Sequence, residues 1–307
     1  MKIKSLTILY FSLISAIVIF NNLKKDWFLK TYLKSVVLEK PIKLAKGDIS
    51  TSNIEYNTSL SYGESELYYC TNMPDWSKSS IMVSKFKDGQ FIKPKKVLFN
   101  DKDYDAGDVH ISNDGMYMYF SGKNVNNNKS DGNIYRSKRI NGNWSEPEIL
   151  PKEINSESSE AYPITTISGN IYFGRYNNGS SYDIYVSKFI NGKYQEAERL
   201  PETINTNRLE LDAWVAPDES FMIFVSKDDP KGFGITDLYI SFNIDNQWTK
   251  AVNMGNRYNS VGVDGSPFLS KDGKYLFFTS TRDSFNPSQF DGGLDLYVSK
   301  FDINDWK

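Results

Sequence analysis

Cysteine and histidine are almost missing from this sequence: Cys70 and His110 stand alone among 307 residues. A single cysteine forms no intramolecular disulfide and supports no cysteine-based zinc cage. A single histidine excludes an HExxH pair and any multi-histidine metal centre. Charge of one sign is lacking too, since 36 Lys and Arg against 38 Asp and Glu leave 36 − 38 = −2. Without a basic face to neutralise phosphates, a nucleic-acid partner is not expected. The one long apolar run, Ser5 to Phe20, falls slightly short of the ~18 to 20 residues of a full membrane span. What the chain does have is aromatic residues, 20 Tyr, 19 Phe and 6 Trp. These fit a half-buried pleated surface, so the composition leans towards β structure.

The N-terminus opens on Met1-Lys2-Ile3-Lys4, ahead of the apolar run and then Asn21, Asn22, Lys24 and Lys25. That order of charge and apolar residues is the order of a signal peptide, but no small-residue cleavage site follows Phe20. Cys70 lies too far downstream to carry a lipid anchor. Residues 1–22 are therefore expected to act as a signal peptide or, more readily, an uncleaved anchor. In residues 23–37, Leu29, Leu33, Val36 and Val37 suggest a short juxtamembrane helix.

From residue 38 onward the chain repeats. DLYVSKF at 295–301 returns as DIYVSKF at 183–189, DLYISF at 237–242, NIYRSKR at 133–139 and SIMVSKF at 80–86. One column reads Met82, Tyr135, Tyr185, Tyr239, Tyr297, and the serine two places on is present every time. An apolar strand lies upstream of each, and an Asp-Gly turn such as 112–115 or 270–273 precedes several of these. Such turns supply the positive φ of a hairpin. Four short strands repeated about every 50 residues predict β-propeller blades, five in all. The chain stops at Trp306-Lys307 before its last fourth strand, whereas Lys40-Pro41-Ile42-Lys43-Leu44 has no earlier strands to join. The N-terminal strand is thus expected to complete blade 5, which removes an unpaired edge.

These repeats resemble the TolB-type, WD-repeat-like β-propeller family. Its unit runs from an acid and Pro through S-x-D-G-x-x-L-x-F-x-S to a Gly-rich loop and D-[IL]-Y. Blade 5 carries Asp264, Pro267, Ser270, Asp272, Gly273, Leu276, Phe278, Ser280, Gly292, Gly293, Asp295, Leu296 and Tyr297. Blade 3 shortens its turn to Ser168-Gly169, blade 4 has Asp218 without the Gly, and blade 1 is the most degraded. The resemblance covers 38–307 and leaves no room for a second catalytic domain. It implies an exported or envelope scaffold or binding module, which is an analogy of fold.

Aligning the blades on their turns puts Glu55, Glu160, Glu210 and Asp264 in one column, at the rim where inner strands begin. Blade 2 has Ala106 there, flanked by Asp105 and Asp108. Two places further in come Asn57, Asp108, Tyr162, Asp212 and Ser266, and the second strands end in Lys123, Arg175, Lys227 and Arg282. The candidate binding rim is therefore Glu55, Asp108, Glu160, Arg175, Glu210, Asp212, Asp264 and Arg282. Two readings are open. One is a polar funnel for a sugar, peptide terminus or cation. The other is a structural clip repeated in each blade, which the repetition favours because catalytic residues are singular. The acids Asp183, Asp237 and Asp295 and the serine column read the same structural way. Asp101 to Asp108 looks like a calcium loop but has Ala106 and Ser112 where Gly and Glu are needed. Loops 124–133 and 283–294, with Trp76 and Phe285, are candidates to contact a ligand.

The leading expectation is an exported, monomeric, non-catalytic propeller without cofactor or metal, binding a protein or glycan at its rim. The alternative is a carbohydrate-active hydrolase using Glu160, Glu210 and Asp264. A serine hydrolase would have to use His110 and lacks a G-x-S-x-G elbow. A metal-dependent lyase is opposed by the single histidine.

Overall fold

The computed structural model describes residues 40–306, apart from 64, 74–76, 88–89, 123–131, 178–180, 285 and 287–292. The expected signal or anchor (1–22), the juxtamembrane helix (23–37), Trp76, Lys123 and Phe285 lie outside the described residues. No described helix is long and apolar enough to cross a membrane.

Five antiparallel sheets form the blades, and a two-stranded ribbon pairs Phe189–Ile190 with Lys193–Tyr194 beyond the third strand of blade 3. The inner strands are Ile54–Leu60, Ala106–Ile111, Glu160–Thr165, Glu210–Val215 and Asp264–Leu269. Each packs against the inner strand of the next blade, and the first meets the last, so the blades close into a ring around a channel. The second strands, such as Glu66–Asn72 and Phe221–Lys227, are buried along nearly their whole length. They sit between neighbouring blades, which is why they read as unbroken apolar runs. Aromatic pairs stack across second and third strands, including Phe120 on Tyr135, Phe173 on Tyr185 and Phe278 on Tyr297, with centroids 5.8, 6.2 and 6.0 Å apart.

The ring closes as expected. Ile42 pairs with Val298 and Lys43 with Tyr297, so the N-terminal strand Ile42–Lys43 is the outermost strand of blade 5. Leu44 N–H donates to Leu296 O at 2.8 Å, and the Leu44 side chain is fully buried against Leu296 and Phe277. Fourth strands are shorter than the sequence suggested. In blade 2 the segment splits into Asn143–Trp144, which extends the hairpin, and Glu148–Ile149, which regains the ladder. Pro147 lies between and cannot donate to a ladder.

The serine column explains how the third strand holds the segment after it. Ser84, Ser137, Ser187 and Ser241 each donate to the carbonyl eight residues on, at 2.6, 2.7, 2.5 and 2.7 Å. Ser299 donates instead to Lys300 O at 3.3 Å. The hydroxyls are spent on backbone. In the inner turns, Gly115 and Gly273 take φ of 73° and 70°, as a hairpin turn requires. Blade 4 puts Glu219 there at φ 60°. Its carboxylate accepts from Thr166, Ser168, Asn170 and Tyr172 of blade 3, which offsets the strain of a non-glycine residue.

Candidate functional site

The rim column is brought together and buried. Glu55, Glu160, Glu210 and Asp264 are 0–1% exposed. Each accepts from both the backbone N–H and the hydroxyl of the residue four places earlier. Thr51 N and Oγ1 lie 3.0 and 2.5 Å from Glu55, and Ser156 N and Oγ lie 3.1 and 2.5 Å from Glu160. For Thr206 and Glu210 the distances are 2.9 and 2.7 Å, and for Ser260 and Asp264 they are 2.5 and 2.7 Å. The acid thereby folds back the connection that enters its own inner strand.

A preceding asparagine locks the same connection to the previous blade. Asn155 accepts from Ile134 N–H at 2.8 Å and donates to Ile134 O and Leu150 O at 3.0 and 2.9 Å. Asn205 repeats this with Ile184 and Leu200, and Asn259 with Leu238. The repeated tripeptides Ile-Asn-Ser (154–156), Ile-Asn-Thr (204–206) and Tyr-Asn-Ser (258–260) carry this signal, which the acid column alone does not reveal. Blade 2 has neither the asparagine nor the acid.

Bases complete the clips. Arg175 Nε donates to Glu160 at 2.9 Å and Arg282 Nη2 to Asp264 at 3.0 Å. Blade 4 uses Arg208, from the inner-strand side, with 4.0 Å to Glu210; Lys227 pairs instead with Asp228. Burial pushes the Glu55 carboxyl up to about 7, against the hydrogen bonds from Thr51. Burial likewise raises Glu160, opposed by Ser156 and Arg175. The second acid column ties third strand to fourth. Asp183 meets Arg199 at 2.8 Å, Asp237 accepts from Asn253 at 2.9 Å, and Asp295 pairs with Lys43 at 2.5 Å. The last is the closing strand making the ordinary contact of its blade.

Further in, Asn57, Asp108, Tyr162, Asp212 and Ser266 all have φ between 45° and 55°. Each lies at a β-bulge of its inner strand, where the pairing register shifts by one residue. Two of them bridge blades: Asp108 accepts from Tyr162 N–H at 3.4 Å, and Asp212 from Ser266 N–H at 2.6 Å. Ser121 also donates to Asp108. Burial raises Asp108 to about 6, and burial together with the nearby Asp108 charge raises Asp212 to about 7.

At the same rim, beside blade 4, a cavity of about 370 Å³ is lined by Arg208, Glu210, Asp229, Lys231 and Tyr239 among others. Arg208 Nη2 lies 3.4 Å from Asp229, which also accepts from Tyr239 at 2.6 Å. In the acidic loop of blade 2, Asp103 pairs with Lys78 and Lys96 at 2.7 and 3.1 Å, and Asp105 accepts from Ser79 N–H at 2.9 Å. No metal-binding group of three or more His, Cys, Asp or Glu occurs among the described residues.

No protein-family model matches this chain, and no curated protein matches it. Solved structures do. TolB from Acinetobacter baumannii superimposes with a TM-score of 0.50 and 15% identity, over 81% of this chain and 55% of that protein. This chain thus spans about half the length of that TolB. A thermostable family-43 glycoside hydrolase gives 0.55 and 12%, covering 83% and 91%. The catalytic domain of the Coprinopsis cinerea GH62 α-L-arabinofuranosidase gives 0.53 and 11%, covering 86% and 94%. At such identities the likeness is one of fold. The chain has the TolB-like β-propeller fold, a fold that glycoside hydrolases share.

Proposed function

We propose that this chain is a monomeric, non-catalytic binding propeller, exported and held at the membrane by its N-terminal segment, that takes a protein or glycan ligand at the rim where its inner strands begin. The observation that supports this most is the commitment of the rim carboxylates. A general acid and base need two environments that drive their pKa values apart. Glu160, Glu210 and Asp264 share one hydrogen-bonded setting, each bound to the hydroxyl and N–H of the residue four places earlier. Above this uniform base the connections between second and third strands differ, from 178–180 in blade 3 to 281–294 in blade 5. Varied loops on a rigid scaffold are where binding residues concentrate. The cavity beside blade 4 offers Arg208, Asp229 and Lys231 to orient a sugar hydroxyl or a peptide carboxylate. Export rests on the basic start and apolar run of residues 1–20.

A glycan and peptide array probed with the chain, followed by a broad glycoside panel, tests the reading. A ligand whose binding Lys231→Ala weakens at unchanged melting temperature, with no turnover, is the expected result. Turnover that Glu160→Gln or Asp264→Asn abolishes in a folded protein would instead establish the hydrolase. Fractionation with N-terminal sequencing tests export; full-length protein in the cytoplasmic fraction would end that part of the proposal.

A further inference from the structure

The inner strands end at the face opposite this rim. A cavity of about 530 Å³ opens among the first-to-second-strand turns, with all five blades contributing to its wall. That size is within the roughly 300–1,000 Å³ of small-molecule sites. Two residues beyond each bulge the side chain returns to the same side of the strand, since side chains alternate. Those positions are Ser59, His110, Ile164, Trp214 and Phe268, and the last four line the cavity.

The wall has a particular chemistry. Its charged lining residues are Asp218, Lys271 and Asp272, all exposed in the turns at the mouth. Both aspartates are already used by their own turns, Asp218 accepting from Ser220 and Asp272 from Ser270. Deeper in, the polar ring is His110, with Nε2 2.9 Å from Thr165 Oγ1. The other ring nitrogen has no hydrogen bond among the described residues. Burial holds the imidazole neutral down to about pH 3. Lys271 lies over the Tyr62 ring at the mouth, 3.7 Å from its centroid, so a carboxylate or ammonium that passes it to reach His110 would lose its hydration without meeting an opposite charge. A sugar would leave most of its hydroxyls against Ile164, Trp214 and Phe268. A neutral imidazole nitrogen donates or accepts according to tautomer, and a hydroxyl answers either.

We infer that this mouth is a binding site for an uncharged, ring-bearing small molecule that carries one hydroxyl, with the ring between Trp214 and Phe268 and the hydroxyl on His110. The assignment is independent of the rim ligand. Calorimetry and ligand-observed NMR with three probes test it: 2-naphthol, naphthalene and 2-naphthoate at pH 7. The expected result is one 2-naphthol per chain, naphthalene weaker by about tenfold, the value of one hydrogen bond, and 2-naphthoate weaker still. In His110→Phe, checked by circular dichroism, 2-naphthol loses its tenfold advantage over naphthalene. Failure of 2-naphthol to bind at millimolar concentration overturns the inference. So does 2-naphthoate binding as well as 2-naphthol, a ranking read on the wild type alone and so independent of whether the variant folds.

Discussion

The two ends of the channel are made by the same five strands and are built in opposite ways. Where the strands begin, Glu55, Glu160, Glu210 and Asp264 are buried acids in one repeated hydrogen-bonded setting. Where they end, the layer is Ser59, His110, Ile164, Trp214 and Phe268, five different residue types, of which the last four line a mostly apolar cavity. The difference separates two demands on a ring of repeats. Holding the blades together is the same task at each one and puts a buried acid at the same place in four of the five. Recognising a ligand is one task for the whole ring, so each blade is free to contribute something different. Repetition marks the scaffold, and departures from it mark the places that can be selective.

The largest effect should come from removing the strand that closes the ring. Deleting residues 38–48 takes away the Ile42–Lys43 ladder, the Lys43–Asp295 pair and the buried Leu44 side chain. Loss of a buried leucine alone typically costs about 2–5 kcal/mol, and an unpaired edge is added to that. Denaturant unfolding should lose its single cooperative transition. An unchanged midpoint would mean that the acid end of blade 5 stands without its partner strand, and that the clips are ornament.

Next is Arg175→Ala, which leaves Glu160 fully buried beside an empty site. Removing one partner of a buried pair costs about 3–5 kcal/mol, and here the arginine also stacks on Tyr185 and donates to Ile154 O. Phe268→Leu at the other end, in a half-open wall, should cost well under half as much. Similar losses at both ends would erase the distinction.

Much of this was legible in the residues. The tyrosine and serine columns fixed five blades, and the orphan segment at 40–44 predicted the closing pair. The acid column was visible as well, but its partners were not, because the Asn-Ser/Thr pair lies four and five places earlier, in the connection ahead of each inner strand. Glu219 looked like a degraded turn; its bonds to four residues of blade 3 depend on how adjacent blades dock, which no local pattern encodes. The bulge ring is harder still. Asn57, Asp108, Tyr162, Asp212 and Ser266 share a left-handed backbone without sharing chemistry, since the bulge is imposed by the pairing of inner and second strands. The mouth cavity is assembled from residues about fifty apart, each of which reads alone as ordinary core.

A pH titration sharpens the comparison at a smaller scale. Asp108 and Asp212, at about 6 and about 7, hold protons in the folded state that the unfolded chain has lost above roughly pH 4. Their contribution to stability is therefore greatest below about pH 4 and declines as pH rises through 6 and 7. Glu55, at about 7, has the same sign. His110 has the opposite one: with a folded value near 3, its contribution is present above about pH 6.5 and is lost as pH falls. The double variant Asp108→Asn/Asp212→Asn should remove much of the decline, raising stability at pH 8 relative to pH 4 by on the order of 7 kcal/mol. Parallel curves for variant and wild type would show that these carboxyls titrate alike in both states.

The smallest effect on stability, and the one that most directly divides the two ends, is expected from Ile167→Ala. Ile167 lines the mouth of the larger cavity yet is 74% exposed, so the folded protein gains little from its side chain. Substitutions at such surface positions stay within about 0.5 kcal/mol, and the melting temperature should not move measurably. Affinity for 2-naphthol should nevertheless fall about threefold, because a few methylene groups of apolar contact at the entrance are removed. Lys231→Ala is the matched change at the rim, also exposed and lining the other cavity; it should leave 2-naphthol binding untouched. If Ile167→Ala lowers the melting temperature and spares the ligand, the mouth is a structural layer like the acid clips, and the two ends of the channel differ in composition alone.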